Sequence, residues 1–130
     1  MRVLLVQPSN AVAGAELSAL QILEGLSQRY GVTYHVALPP PDNSLYVSML
    51  RKTSDGVINL PLMTWHRSTV DSLQTQAVSL LYRLYKGRLF STLFSLLRYV
   101  RDYQIDIIYS NSGLCPVGAM VARMAGIPHV

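Results

Sequence analysis

Apolar positions recur along this chain with two different periods, and the alternation between them predicts its elements. Residues 2 to 7, RVLLVQ, are a short run of valine and leucine, typical of a strand covered on both faces. From Ala15 to about Tyr30 the period changes. Ala19, Leu20, Leu23 and Leu26 recur at helical spacing, and Gly31 supplies the stop signal of a helix C-terminus. VTYHVAL, residues 32 to 38, is the next strand, ended by three prolines that cannot donate to a ladder. Residues 45 to 52 predict a short helix, and GVINLPL holds a brief third strand at about 57 to 60.

From Thr69 to Tyr103 the pattern is helical throughout. One straight helix of that length would span about 50 Å at 1.5 Å per residue, so a break near Gly87 is expected. IDIIYS, residues 105 to 110, is a fourth strand, Pro116 suits the first turn of a helix running to about Ala125, and IPHV begins a fifth strand at the last residues. Strands alternating with helices predict the α/β class: a Rossmann-like parallel sheet flanked by helices, with right-handed crossovers. A chain that ends within a strand is expected to be part of a larger protein.

Composition narrows the possibilities. With 130 residues, half of them hydrophobic and 14% charged, the chain has enough apolar material for one core, which argues against intrinsic disorder. A single cysteine, Cys115, allows no internal disulfide and points to a reducing, cytoplasmic compartment. The N-terminal apolar run is too short for a signal peptide, and Arg83, Lys86, Arg88 and Arg98 interrupt the most apolar region before it reaches the roughly 18 residues of a spanning helix. The net charge of +4 is not gathered into a dense run, which argues against nucleic acid as a partner and for an anionic ligand or an anionic membrane surface. Residues 78 to 101, where Leu, Phe and Tyr alternate with Arg and Lys, have the composition of a peripheral membrane contact. The same pattern also describes a sheet-covering helix with a solvated basic side.

In an open parallel sheet the ligand crevice lies beyond the carboxyl ends of the strands. Two loops reach that edge. PSNAVAGAE places Gly14 just before a helix, where free backbone N–H groups and the helix dipole favour an anion such as a diphosphate and the missing side chain allows close approach. Gly14 could equally serve the turn alone, with Glu16 satisfying the dipole in the first helical turn. The dinucleotide fingerprint and the phosphate loop ending in Gly-Lys-Ser/Thr are both absent. The second loop, YSNSGLCP, presents Ser110, Asn111, Ser112 and Gly113, donors and acceptors suited to sugar hydroxyls or phosphate oxygens and also to turn and cap chemistry.

The remaining chemistry-bearing residues carry less. His35, His66 and His129 lack metal-ligand spacing, so no metal and no cofactor are expected. His35 reads as a packed or edge histidine and Cys115 as a small buried residue. Trp65, His66 and Arg67 lie in the longest irregular stretch, the place for a loop at a binding face.

Three stretches, MRVLLVQP, AGAELSALQILEGLSQRYG and YQIDIIYSNSGLCPVGAMVARMAGIPHV, taken in this order, resemble the N-terminal domain of retaining GT-B glycosyltransferases of family 4, the glycosyl transferases group 1. The family's Gly-Gly-x-Glu motif corresponds here to Ala13, Gly14, Ala15 and Glu16, with alanine in place of the first glycine. The resemblance implies that Gly14, Ala15 and Glu16 approach the donor diphosphate and the acceptor. It also puts Asn111 where many members carry a histidine near the reacting sugar, with Ser112 beside it. An amide is no acid or base near neutral pH, so Asn111 would position and not catalyse, and no catalytic residue is assigned. By the same resemblance, residues 1 to 130 would be the acceptor-side portion of an enzyme whose nucleotide-sugar-binding C-terminal domain lies beyond Val130. Its partners would be a nucleotide-sugar donor and a sugar or lipid acceptor. The alternative from another class is a non-catalytic Rossmann-like module that binds a small anion at the same edge.

Overall fold

The computed structural model describes residues 1–10, 14–40, 45–62, 88–112 and 115–130. Four strands form one parallel sheet: β1 (Arg2–Val6), β2 (Thr33–Leu38), β3 (Gly56–Asn59) and β4 (Ile107–Ser110), in the order β3-β2-β1-β4. Four described helices flank it: α1 (Gly14–Tyr30), α2 (Leu45–Thr53), α3 (Arg88–Asp102) and α4 (Val117–Ala125). The fold is α/β and Rossmann-like, as the alternation of periods predicts.

Alternation along each strand sends successive side chains to opposite faces, and the core divides accordingly. Val3 and Leu5 of β1 pack with Tyr34, Val36 and Leu38 of β2 beneath α1 and α2, through Ala19, Leu20, Leu23, Tyr46, Val47 and Leu50. Leu4 and Val6 pack on the other face with Ala37 and Ile108 beneath α3 and α4, through Leu93, Leu96, Val100, Val117 and Val121. This double coverage is why β1 contains no polar position between Val3 and Val6.

The termini of the elements follow local chemistry. Gly31 closes α1 at φ +63°, with its N–H bonded to the Ser27 carbonyl. Gly126 closes α4 at φ +71°, its N–H directed at the carbonyls of Ala122 and Arg123, the left-handed cap that glycine adopts without strain. Differences from the sequence pattern are small. β4 starts at Ile107, because Ile105 is used in the core beneath α3 and Asp106 accepts from the Arg2 backbone N–H at 2.7 Å. The expected fifth strand is a single parallel bridge, Ile108 to His129, with Ser110 N–H donating to the Val130 carbonyl. α3 begins at Arg88, directly after Gly87, and the preceding part of the long helical pattern lies outside the described residues, as do Trp65, His66 and Arg67.

His35 is a packed histidine, 5% exposed, with its Nδ1 2.9 Å from the Tyr99 hydroxyl and its ring against Tyr99 and Tyr103 of the α3 end. Burial holds its pKa below the ordinary 6.5; Asp55 opposes this and Arg2 adds to it. The unfolded chain therefore takes up a proton near pH 6.5 that the folded chain resists. We expect the His35 contribution to stability to be complete above pH 6.5 and to be lost as the pH falls from there toward the lowered folded value. Urea midpoints measured from pH 7.5 to 5 check this, and His35→Gln should remove that part of the pH dependence. An identical slope in the variant would refute it.

Candidate functional site

Going from β1 through β2 to β3, the chain moves steadily toward one edge; α3 then carries it back so that β4 lands on the opposite side of β1. The strand order reverses between β1 and β4, and a crevice opens at the carboxyl ends of strands at such a switch point. Gln7 and Asn111, the first residues after β1 and β4, stand there. The Gln7 N–H donates to the Ala37 carbonyl at 2.9 Å and the Asn111 N–H to the Val6 carbonyl at 3.1 Å, so each continues its ladder by one position.

The predicted residues divide in a way that spacing alone did not show. Gly14 and Ala15 begin α1 and are exposed, whereas Glu16 is 7% exposed. Gly14 is not among the positive-φ glycines, and a β-carbon built on it would meet nothing within 4 Å. Its carbonyl accepts from the Ser18 hydroxyl at 2.8 Å. Neither backbone geometry nor packing among the described residues calls for glycine at this position. Asn111 follows β4 half-buried, and the Ser112 carbonyl accepts from the Cys115 N–H at 3.1 Å. Gly14 and Asn111 thus follow adjacent strands at one edge of the sheet.

Gln7 is the residue that the sequence pattern passed over. It is 0% exposed, and its Oε1 accepts from the Tyr46 hydroxyl at 2.9 Å while its Nε2 has no partner among the described residues. An amide donor left in that state costs about 1–3 kcal/mol. Burial pushes the Tyr46 hydroxyl above its ordinary pKa; the bond to Gln7 opposes the shift, and the Glu16 charge adds to it. Tyr46 therefore stays a donor through the neutral range, and Tyr46 and Gln7 form a buried polar pair. The available signal in the sequence was a glutamine closing a run otherwise buried on both faces.

Cys115 is buried, and burial raises its thiol pKa against an opposing backbone N–H from Val117, so it is a packing residue and not a nucleophile. No cluster of His, Cys, Asp or Glu capable of holding a metal occurs among the described residues. No described helix is long and apolar enough to cross a membrane.

No family model matches this chain, and no curated protein matches it. Solved structures do. The chain is similar to MurG of Acinetobacter baumannii, with TM-score 0.64, 17% identity and 98% of this chain covered. It is similar to a glycosyltransferase of Rickettsia africae ESF-5, with TM-score 0.62, 14% identity and 98% covered. A UGT transferase from Siraitia grosvenorii, solved in complex with UDP, matches with TM-score 0.55, 18% identity and 99% covered. At these identities the likeness is one of fold, and the shared fold is that of GT-B glycosyltransferases, of which this chain has the extent of a partial domain. The chain spans 33%, 28% and 27% of the length of those three proteins.

Proposed function

We propose that this chain is the acceptor-side part of a glycosyltransferase that moves a sugar, with retention, from a nucleotide-sugar donor to a glycan, lipid or small-molecule acceptor. The observation that carries the reading is the match of nearly the whole chain to glycosyltransferase structures, with Gly14 and Asn111 following adjacent strands at the switch point of the sheet. The chain's share of the chemistry is to orient the acceptor and to bring the exposed start of α1 close to the donor, where Gly14 and Ala15 offer backbone and Glu16, Asn111 and Ser112 offer side chains. A module for a small anion alone suits the chain less well, because the structures matched over nearly its whole length are glycosyltransferases. The nucleotide-sugar-binding wall is supplied by a further domain. The enzyme works on the cytoplasmic side, in peripheral contact with anionic membrane through residues 78–101. In that segment Phe90 and Phe94 are exposed one turn apart, with Arg98 a turn further along and Arg101 also exposed.

Transfer depends on both walls of the cleft, because orientation of two reactants is most of what such a site supplies. We expect residues 1 to 130 alone to transfer no sugar from any nucleotide sugar, and a longer protein that carries this chain to do so with the anomeric configuration kept, as read by proton NMR of the product. Turnover by the chain alone, or inversion by the longer protein, would contradict the proposal. Flotation of the longer protein with anionic but not neutral vesicles, lost as salt rises, is the expected membrane readout; equal flotation with both would count against that contact.

A further inference from the structure

The last turn of α3 is fastened to the sheet by a polar, aromatic contact and not by aliphatic packing alone. His35 stands on β2 level with Leu4 of β1 and Gly56 of β3, on the face that α3 covers. Its Nδ1 is 2.9 Å from the Tyr99 hydroxyl, and its ring centroid is 5.0 Å from that of Tyr103, which in turn lies 4.3 Å from the Tyr99 ring. Gly56 is the seat of this contact. A β-carbon on it would come within 2.6 Å of the Tyr99 oxygen and 2.7 Å of His35 Nδ1, so the bond closes directly against a bare strand. Just past Tyr103 the chain turns through Gln104 at φ +50°, a left-handed conformation that a residue with a β-carbon keeps only where its surroundings hold it. The Arg2 guanidinium does the holding, donating to Gln104 Oε1 at 2.7 Å and to the Tyr103 carbonyl at 3.3 Å.

We propose that His35, Tyr99 and Tyr103 are an acid-released latch: a proton taken up by the imidazole frees the last turn of α3 and the Gln104 turn from the sheet while the rest of the domain stays folded. The proposal stands apart from the glycosyltransferase reading. Burial, with Tyr103 adding to it, pushes the Tyr99 phenol up to about 12, so Tyr99 keeps its proton and donates to Nδ1, which leaves the proton of the neutral imidazole on Nε2. An added proton must go to Nδ1, the atom that accepts. Two hydrogens then point at each other, and Gly56 lies against both atoms where Tyr99 would have to turn its O–H away. Among the described residues two charges act on the ring, Asp55 favouring the imidazolium and Arg2 opposing it, and burial outweighs both. The other charges nearby are engaged: Asp55 accepts from the Tyr34 N–H, Asp106 from the Arg2 N–H, and Arg98 and Asp102 pair with each other at 3.4 Å. Released chain carries His35 at its ordinary pKa, so the latch is closed above about pH 6.5 and opens as the pH falls below it. Release stays local because Leu89, Leu93 and Leu96 anchor the body of α3 through apolar contacts that do not titrate.

The test is NMR on the full chain between pH 7.5 and 5. The Tyr103 N–H bonds to the Tyr99 carbonyl and the Ile105 N–H to the Val100 carbonyl, so the exchange of both amides reports the turn. Their protection should fall about tenfold relative to that of the Leu96 amide, a ratio that cancels intrinsic exchange and global unfolding. The Tyr99 and Tyr103 ring signals should move together toward free-tyrosine positions while the Leu93 and Leu96 methyl signals stay. His35→Gln cannot titrate and should flatten both responses. Tyr99→Phe keeps the ring and removes the hydroxyl, and should lower Ile105 protection about fivefold already at pH 7.5; it is the second variant if His35→Gln fails to fold. Ring signals unmoved at pH 5, Ile105 and Leu96 protection falling in step, or the wild-type response persisting in a folded His35→Gln chain would each overturn the proposal.

Discussion

Replacing Gly118 with alanine should lower the stability of the domain by about 1–2 kcal/mol, even though alanine is the better helix former. Gly118 lies in the first turn of α4, where that helix crosses the end of β4. A β-carbon there would collide with the Ser110 hydroxyl and lie 3.3 Å from Ile108 Cγ2 and 3.5 Å from Val6 Cγ2. The hydroxyl is not free to swing away without loss, since it is 2.9 Å from His129 Nε2 and helps hold the final bridged segment. Alanine gains at most about 1 kcal/mol in helix propensity, and overpacking a well-filled site costs about 1–3 kcal/mol. The contact should win, lowering the Tm by about 4–7 °C. Removing the obstructing atom separates the two terms. In a Ser110→Ala background the alanine at 118 should become neutral or stabilising, a coupling that a double-mutant cycle reads directly. If Gly118→Ala is neutral in the wild-type background, α4 does not sit against β4 as closely as the structure places it.

Gly118 also shows the limit of the sequence pattern. Pro116 and the apolar spacing after it were enough to announce the helix, but nothing local said that its first turn would press on Ser110, because that contact depends on how α4 crosses the sheet. The same division holds elsewhere. Val3 to Val6 announced a strand buried on both faces, and Gly31 a helix end, since each is a matter of local geometry or of a run's own composition. His35 and Cys115 were legible as packed residues for the same reason. Gln7 and Asn59 were not legible as members of one row of amides. Their common row exists only once the register Leu38 to Asn59 and Val6 to Ser110 is fixed, and register is a property of the pairing and not of either strand. Glu16 was placed in the first turn of α1 by sequence, but only the packing of α1 against the sheet turns it inward while Gly14 and Ala15 stay exposed. The order of strands, and with it the switch point between β1 and β4, likewise rests on the return through α3.

On the proposed glycosyltransferase reading, the loop ahead of α1 leads to the other large effect: Gly14→Val should lower kcat/KM of the longer protein at least about tenfold while leaving the domain folded. The sequence left two reasons for a glycine here, a turn that needs its conformational freedom and a ligand that needs its bareness. The structure weakens the first, because Gly14 lacks a positive φ and a β-carbon on it would enter open space. A side chain at the exposed start of α1 therefore costs the fold little, and Gly14→Ala should leave the Tm unchanged or slightly higher. On that reading, a valine would occupy the space through which a diphosphate or an acceptor hydroxyl approaches the backbone. Tenfold corresponds to only about 1.4 kcal/mol of transition-state stabilisation, less than one well-placed contact to a charged group contributes. The decisive measurement pairs thermal unfolding with steady-state kinetics on both variants, varying donor and acceptor separately to tell which partner the loop meets. A fall in Tm matching the fall in activity would return Gly14 to the role of a structural residue. Unchanged kinetics in a folded Gly14→Val variant would remove the loop from the proposed site altogether.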